Sequence, residues 1–120
     1  MTNIEIKSFD KPDETRPFEG KGYADVVTLG GRPVARAVFE AGWRWSVNVK
    51  PIAGTESCQT HHVGYCLGGR MRVVMDDGFT REFGPGDVMD IPPGHDAETL
   101  GDEACVMLDF GEISRYAKPT

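Results

Sequence analysis

Hydrophobic and polar residues alternate along most of this chain in short runs, and glycine or proline interrupts nearly every run. Strands of a half-buried antiparallel sheet produce that pattern, because successive side chains point to opposite faces. Residues 23–29 form one such run, closed by the Gly30–Gly31 turn. After Pro33, Val34, Arg36 and Val38 fall on one parity, and Ala35, Ala37 and Phe39 on the other. Residues 42–51 carry the cleanest alternation: Trp43, Trp45, Val47 and Val49 share one face, while Arg44, Ser46, Asn48 and Lys50 share the other, which predicts a strand. Residues 65–67 predict a short strand, with Gly68 and Gly69 as a turn or bulge. Residues 70–75 send Met71, Val73 and Met75 to one face, and Asp77–Gly78 tolerates the positive φ of a tight hairpin turn. Residues 79–83, 88–91, 97–100 and 104–110 complete the set, with turns at 84–87 and a Pro-Pro-Gly stop at 92–94. No long stretch has helical periodicity. The reading is an all-β jelly roll or small barrel over residues 22–111.

The ends read differently. Residues 1–21 form a charged arm, in which residues 4–9 could make an edge strand and residues 10–20, with two prolines, are irregular. Residues 112–120 read as a polar, frayed tail. A length of 120 residues suits one domain with a real core. The net charge of −6 repels phosphate backbones, which argues against a nucleic-acid partner. No apolar run approaches the ~20 residues of a membrane span. The first residues have no basic segment followed by an apolar one, so no secretory leader is read and a cytoplasmic location is expected. The three cysteines, Cys58, Cys66 and Cys105, are expected to be free thiols, with Cys66 and Cys105 in the core.

The second half carries a more specific pattern. Gly86, Pro92 and Gly94 in "GPGDVMDIPPGHDAETL" match the spacing of the second conserved motif of the cupin superfamily, and "HVGYCLGGRMRV" resembles the end of the first. The chain resembles small single-domain bacterial cupins over about residues 40–110. That resemblance implies a double-stranded β-helix, frequent dimerisation and a metal held by three histidines and a glutamate. The sequence departs from this ligand set. Ala97 stands where the family's last histidine belongs, with His95 two places earlier. Aligning Tyr65 and Gly69 puts His62 at the glutamate position, and Glu56 and Cys58 near the two histidines of the first motif.

Thiolate and imidazole are both good ligands for zinc and other late first-row divalent metals. Cys58, His62 and His95 are therefore the candidate metal ligands, with His61 and Glu56 behind them. His61 and His62 are neighbours on an extended chain and must point to opposite faces, which favours His62 as the inward one. Equally, Cys58 could be a small buried hydrophobe and His95 an exposed loop residue. Trp43, Trp45 and Tyr65 are candidate pocket wall. The expected function is a barrel that binds a small molecule beside a non-standard metal site. A metal-dependent enzyme on a small organic substrate and a metal-free, self-associating sensor or interaction module stay open. A homodimer is expected, because a half-open sandwich has strand edges to cover.

Overall fold

The computed structural model describes residues 3–119. Residues 1, 2 and 120, at the tips of the expected arm and tail, lie outside the described residues. The strands are β1 (Glu14–Pro17), β2 (Gly22–Leu29), β3 (Arg32–Phe39), β4 (His62–Gly68), β5 (Arg70–Met75), β6 (Thr80–Phe83), β7 (Val88–Ile91), β8 (His95–Leu100) and β9 (Cys105–Asp109). Two short helical turns, α1 (Trp45–Asn48) and α2 (Lys50–Ala53), lie between β3 and β4. The strands form two antiparallel sheets: six strands in the order β1-β2-β3-β9-β4-β7, and three in the order β6-β5-β8. The all-β jelly roll expected from the alternation is therefore the observed architecture.

Parity decides what each strand buries. Ala24 and Val26 of β2, Ala35, Ala37 and Phe39 of β3, Cys105 and Met107 of β9, Cys66 of β4, and Met71 and Val73 of β5 all face the space between the sheets. Phe18, Phe39 and Trp43 close one end as an aromatic cluster, with ring centroids 4.4 to 5.8 Å apart. Burying rings of this size is worth several kcal/mol in total, at roughly 2–3 kcal/mol each. Within the six-stranded sheet, β4 and β9 pair closely where a side chain is missing: a Cβ on Gly64 would lie 2.4 Å from the Leu108 carbonyl oxygen, so this pairing needs glycine at residue 64.

Four expectations need correction. Residues 42–51 are not a strand. Asn48 accepts a hydrogen bond from the Arg44 N–H through Oδ1 (3.0 Å), and its own N–H bonds the Arg44 carbonyl (2.8 Å). Pro51 fits the first turn of α2, and Gly54 caps it in the left-handed region with φ 76°. Local side-chain bonding thus overrides the alternation. Trp43, Trp45 and Val49 are still buried, whereas Val47, placed on the same face by alternation, is 61 % exposed.

The arm carries its strand at Glu14–Pro17, in the stretch expected to be irregular, and residues 4–9 are not a strand. Proline is tolerated there because β1 is an edge strand and Pro17 is its last residue. The tail is not frayed. Ile113, Tyr116 and Ala117 are buried, and the buried Arg16 donates from Nη1 to the Ile113 carbonyl (2.6 Å) and the Tyr116 carbonyl (2.9 Å). These bonds satisfy both peptide oxygens, and Arg16 Nη2 pairs with the Glu14 carboxylate (2.9 Å). Finally, the strand predicted at 97–100 begins at His95.

Candidate metal centre

Cys58 and His62 lie four residues apart and His95 is remote from both in sequence; the backbone brings them together directly. Cys58 and His95 form an isolated antiparallel bridge. The Cys58 N–H donates to the His95 carbonyl (2.7 Å), and the Gly94 N–H donates to the Cys58 carbonyl (2.7 Å). His62 opens β4 with its side chain inward, paired in register with Ile91 of β7. Ligand atoms of Cys58, His62 and His95 all lie within 4.8 Å of one another, and all three residues are buried.

Both imidazoles are anchored through Nδ1. His62 Nδ1 meets Asp109 Oδ2 at 2.5 Å, and His95 Nδ1 meets the Pro92 carbonyl oxygen at 2.8 Å. Each ring thereby donates Nδ1–H outward and leaves Nε2 to the site. His62 Nε2 stands 3.6 Å from Cys58 Sγ. The two rings sit edge to face, 5.2 Å between centroids, and Tyr116 places its ring against His62 at 5.1 Å. Asp109 is in turn held by the Gly111 N–H, which donates to Oδ1 at 3.0 Å. A Cβ on Gly111 would come within 2.3 Å of the His61 carbonyl, so the chain can pass this close to β4 only at glycine.

Electrostatics couples the cluster. Burial pushes the Cys58 thiol up, but the hydrogen bonds and charge of His62 and then His95 outweigh it and hold the group at about 6. Burial pushes His62 down, and Asp109 followed by Cys58 overcomes it, raising the imidazole to about 9. The pair is a thiolate beside an imidazolium. Burial raises Tyr116 well above the usual phenol range, with the charges of Cys58 and Asp109 adding to it, so it stays a neutral phenol. Burial likewise raises Cys66, and Cys105 follows it upward in the apolar core.

The remaining expected site residues lie elsewhere. His61 points outward, as alternation requires, and pairs with Asp90 (2.6 Å) and Glu112 (3.3 Å). The Glu56 carboxylate is 99 % exposed beside Lys50 (3.3 Å), outside the Cys58, His62 and His95 cluster. Tyr65 stands on the outer face of β4, 39 % exposed, and forms no part of the inner wall, because inward His62 forces Gly64 and Cys66 inward and residue 65 outward. Trp43 and Trp45 line a small interior cavity of about 20 Å³ together with His62, His95 and Tyr116. Asp109 and Tyr116 were missed. The signal for Asp109 was a carboxylate on the inward parity of Cys105 and Met107; for Tyr116 it was the i, i+3, i+4 spacing of Ile113, Tyr116 and Ala117.

A larger cleft, about 460 Å³, lies between β6 and β7, the open edges of the two sheets. Met75, Phe79, Phe83, Val88 and Met89 give it an apolar wall, and Arg81 and Asp90 stand among its lining residues. Val73 and Ile91 line both the cleft and the interior cavity.

Two antiparallel sheets folded as a jelly roll make a double-stranded β-helix, and solved structures agree on that fold. The chain is similar to an RmlC-like cupin from Shewanella frigidimarina (TM-score 0.60, 19 % identity, covering 93 % of this chain and 95 % of that one). It is similar to the polyketide cyclase RemF from Streptomyces resistomycificus (TM-score 0.64, 19 % identity, 91 % and 79 %). It is also similar to a variant of oxalate decarboxylase from Bacillus subtilis (TM-score 0.62, 23 % identity, 95 % of this chain and 31 % of that one). No family model matches the chain, and no curated protein matches it. The fold is thus the cupin double-stranded β-helix, built around a buried Cys58, His62 and His95 cluster that could bind a metal ion. Among the described residues no helix is long and apolar enough to cross a membrane.

Proposed function

We propose that this barrel binds a late first-row divalent metal, zinc foremost, through Cys58, His62 and His95, and presents it to a small organic molecule seated in the cleft between β6 and β7. One observation carries the reading: both histidines are tied through Nδ1 to an acceptor, a carboxylate for His62 and a peptide carbonyl for His95. Metal-bound imidazoles are oriented in this way, because the outer hydrogen bond fixes tautomer and ring and strengthens the nitrogen that binds the ion. One thiolate and two imidazoles suit zinc, and three protein ligands leave a position open for another group. Such an ion supplies Lewis acidity to whatever oxygen occupies that position.

The cleft supports an organic ligand with an apolar body. Its 460 Å³ is the size of small-molecule sites, and the interior cavity of 20 Å³ has room only for something water-sized. The neighbours named polyketide cyclase and oxalate decarboxylase act, by those names, on small organic molecules, and they lend the class of ligand without its identity.

The chain is a homodimer in this reading. Val63, Tyr65 and Leu67 of β4, Val88 of β7 and Phe110 leave apolar side chains exposed on and beside the outer face of the six-stranded sheet. Contiguous exposed apolar surface of this kind is covered by a partner.

Elemental analysis of protein purified without chelator tests the metal reading. Close to one zinc or similar ion per chain is expected, with Cys58→Ser, His62→Ala and His95→Ala each losing most of it and His61→Ala keeping it. Wild-type protein that takes up no metal when supplied with it overturns the reading.

A further inference from the structure

We propose that Cys58 is also a modification site: small hydroperoxides oxidise its sulfur to sulfenic acid, with His62 and Asp109 as the relay that activates it. The inference needs no metal, and it uses a face of Cys58 that the barrel interior does not.

The first argument is connectivity. Cys58 Sγ lies 3.6 Å from His62 Nε2, and His62 Nδ1 lies 2.5 Å from Asp109 Oδ2. A nucleophile, a base beside it and a carboxylate that orients the base make up the arrangement that activates side-chain nucleophiles generally. The chain's other thiols lack it. Cys66 Sγ meets the carbonyls of Gly68 and Gly69 and its neighbour Cys105, and Cys66 and Cys105 are both fully buried in the core. A thiol among apolar groups has no proton acceptor at hand, whereas Cys58 has an imidazole nitrogen at 3.6 Å with a carboxylate behind it.

The second argument is access. On its outer side Cys58 lines a depression of about 190 Å³ with Trp45, Gln59, Glu112, Arg115 and Tyr116. Tyr116 also lines the interior cavity and stands between the two spaces. The depression holds hydrogen peroxide or a small organic hydroperoxide many times over, since a water-sized molecule needs only about 10–15 Å³. Its rim carries an acid and a base, so an uncharged oxidant meets no repulsion.

The reaction balances within these groups. The Cys58 sulfur attacks one peroxide oxygen; the S–O bond forms as the O–O bond breaks. Sulfur loses two electrons and the peroxide gains them. The thiol proton passes to His62 Nε2 and from there to the departing hydroxide or alkoxide, which leaves as water or an alcohol. The sulfenic acid lies on the reversible first step of thiol oxidation, and a thiol restores it. A bound metal ion would draw electron density from the same sulfur and slow its attack.

The test treats the whole chain with hydrogen peroxide in two forms, chelator-treated and zinc-loaded. Each time point is stopped in denaturant containing dimedone, and adducts are counted at each cysteine by peptide mass spectrometry. Cys58 in the chelator-treated protein is expected to react at least about tenfold faster than Cys66 or Cys105. His62→Gln and Asp109→Asn are each expected to slow it about tenfold, with near-ultraviolet circular dichroism checking that they fold. The ranking of the three thiols in the wild type stands whether or not those variants fold. Equal or slower oxidation at Cys58 overturns the proposal. The zinc arm separates it from the metal reading: stoichiometric zinc with an inert Cys58 sinks only the thiol chemistry, and rapid oxidation that zinc does not slow sinks only metal ligation by Cys58.

Discussion

Asp109 and His62 meet across neighbouring strands β9 and β4, with Oδ2 2.5 Å from Nδ1 and both side chains buried. The carboxylate fixes which nitrogen of His62 faces Cys58, so a residue that touches neither thiol nor ion sets the geometry of both. Asp109→Asn keeps the shape but lets the ring choose its tautomer. It should weaken zinc binding about 10–100-fold, as loss of such outer partners typically does. Competition against a chelating dye measures it; an unchanged affinity would show that Asp109 serves packing alone.

The same cluster gives the metal-free protein two opposed pH dependences. His62 is raised from 6.5 to about 9, so its contribution to stability is complete below 6.5 and is lost as pH rises through 9. Cys58 is lowered from 9.0 to about 6, so its contribution is complete above 9.0 and is lost as pH falls through 6. The thiolate–imidazolium pair is therefore intact between about 6 and 9. Metal-free protein should keep a nearly flat melting temperature across that window, because the two contributions offset each other, and Cys58→Ser, which leaves His62 alone, should make it fall as pH rises toward 9. Thermal unfolding across a buffer series reads it out. Zinc uptake at neutral pH should release the His62 proton, so calorimetry in buffers of different ionisation enthalpy should find about one proton released per ion.

Arg16 ties β1 to the C-terminal segment by donating to the carbonyls of Ile113 and Tyr116. Arg16→Leu strands two buried acceptors and should cost about 2–3 kcal/mol in urea unfolding. Residues 112–119 should become susceptible to protease first, and Tyr116 would leave its place against His62. Unchanged protease resistance of that segment would count against the tie.

Gly64 has no room for a methyl group. Its Cβ would sit 2.4 Å from the Leu108 carbonyl oxygen and 2.7 Å from the end of Met107. Gly64→Ala should force β4 from β9 and destabilise the fold by about 2–3 kcal/mol. Gly30→Ala, where nothing lies near, carries only the strain of its φ of 55° and should cost less. Comparing the two denaturation midpoints separates close approach from backbone preference.

The dimer proposal rests on the outer face of β4 and β7, where Leu67 and Val88 are exposed. Leu67→Glu with Val88→Lys should give a monomer by light scattering at tens of micromolar while the far-ultraviolet spectrum is kept. A wild type already monomeric there would end the proposal.

Strand parity could be read along the chain because alternation is a local property: Ala35, Ala37 and Phe39 inward, Met71 and Val73 inward, His62 inward and His61 outward are all found as the two-residue period demands. The three candidate ligands were legible from chemical type, since few side chains can hold a late transition metal. Tyr65 could have been excluded by the same parity that favoured His62. Residues 42–53 could not be read so simply, because an Asn48 side chain that closes a helical turn leaves the apolar spacing of a strand untouched. The tail lacked a partner until Arg16, 97 residues before Ile113, reached its carbonyls. Above all, spacing along the chain does not show that Cys58 and His95 share a bridge or that Asp109 stands behind His62. Strand register decides those distances, and register is settled by pairing between segments remote in sequence, where one residue of slip would turn His62 away from the barrel.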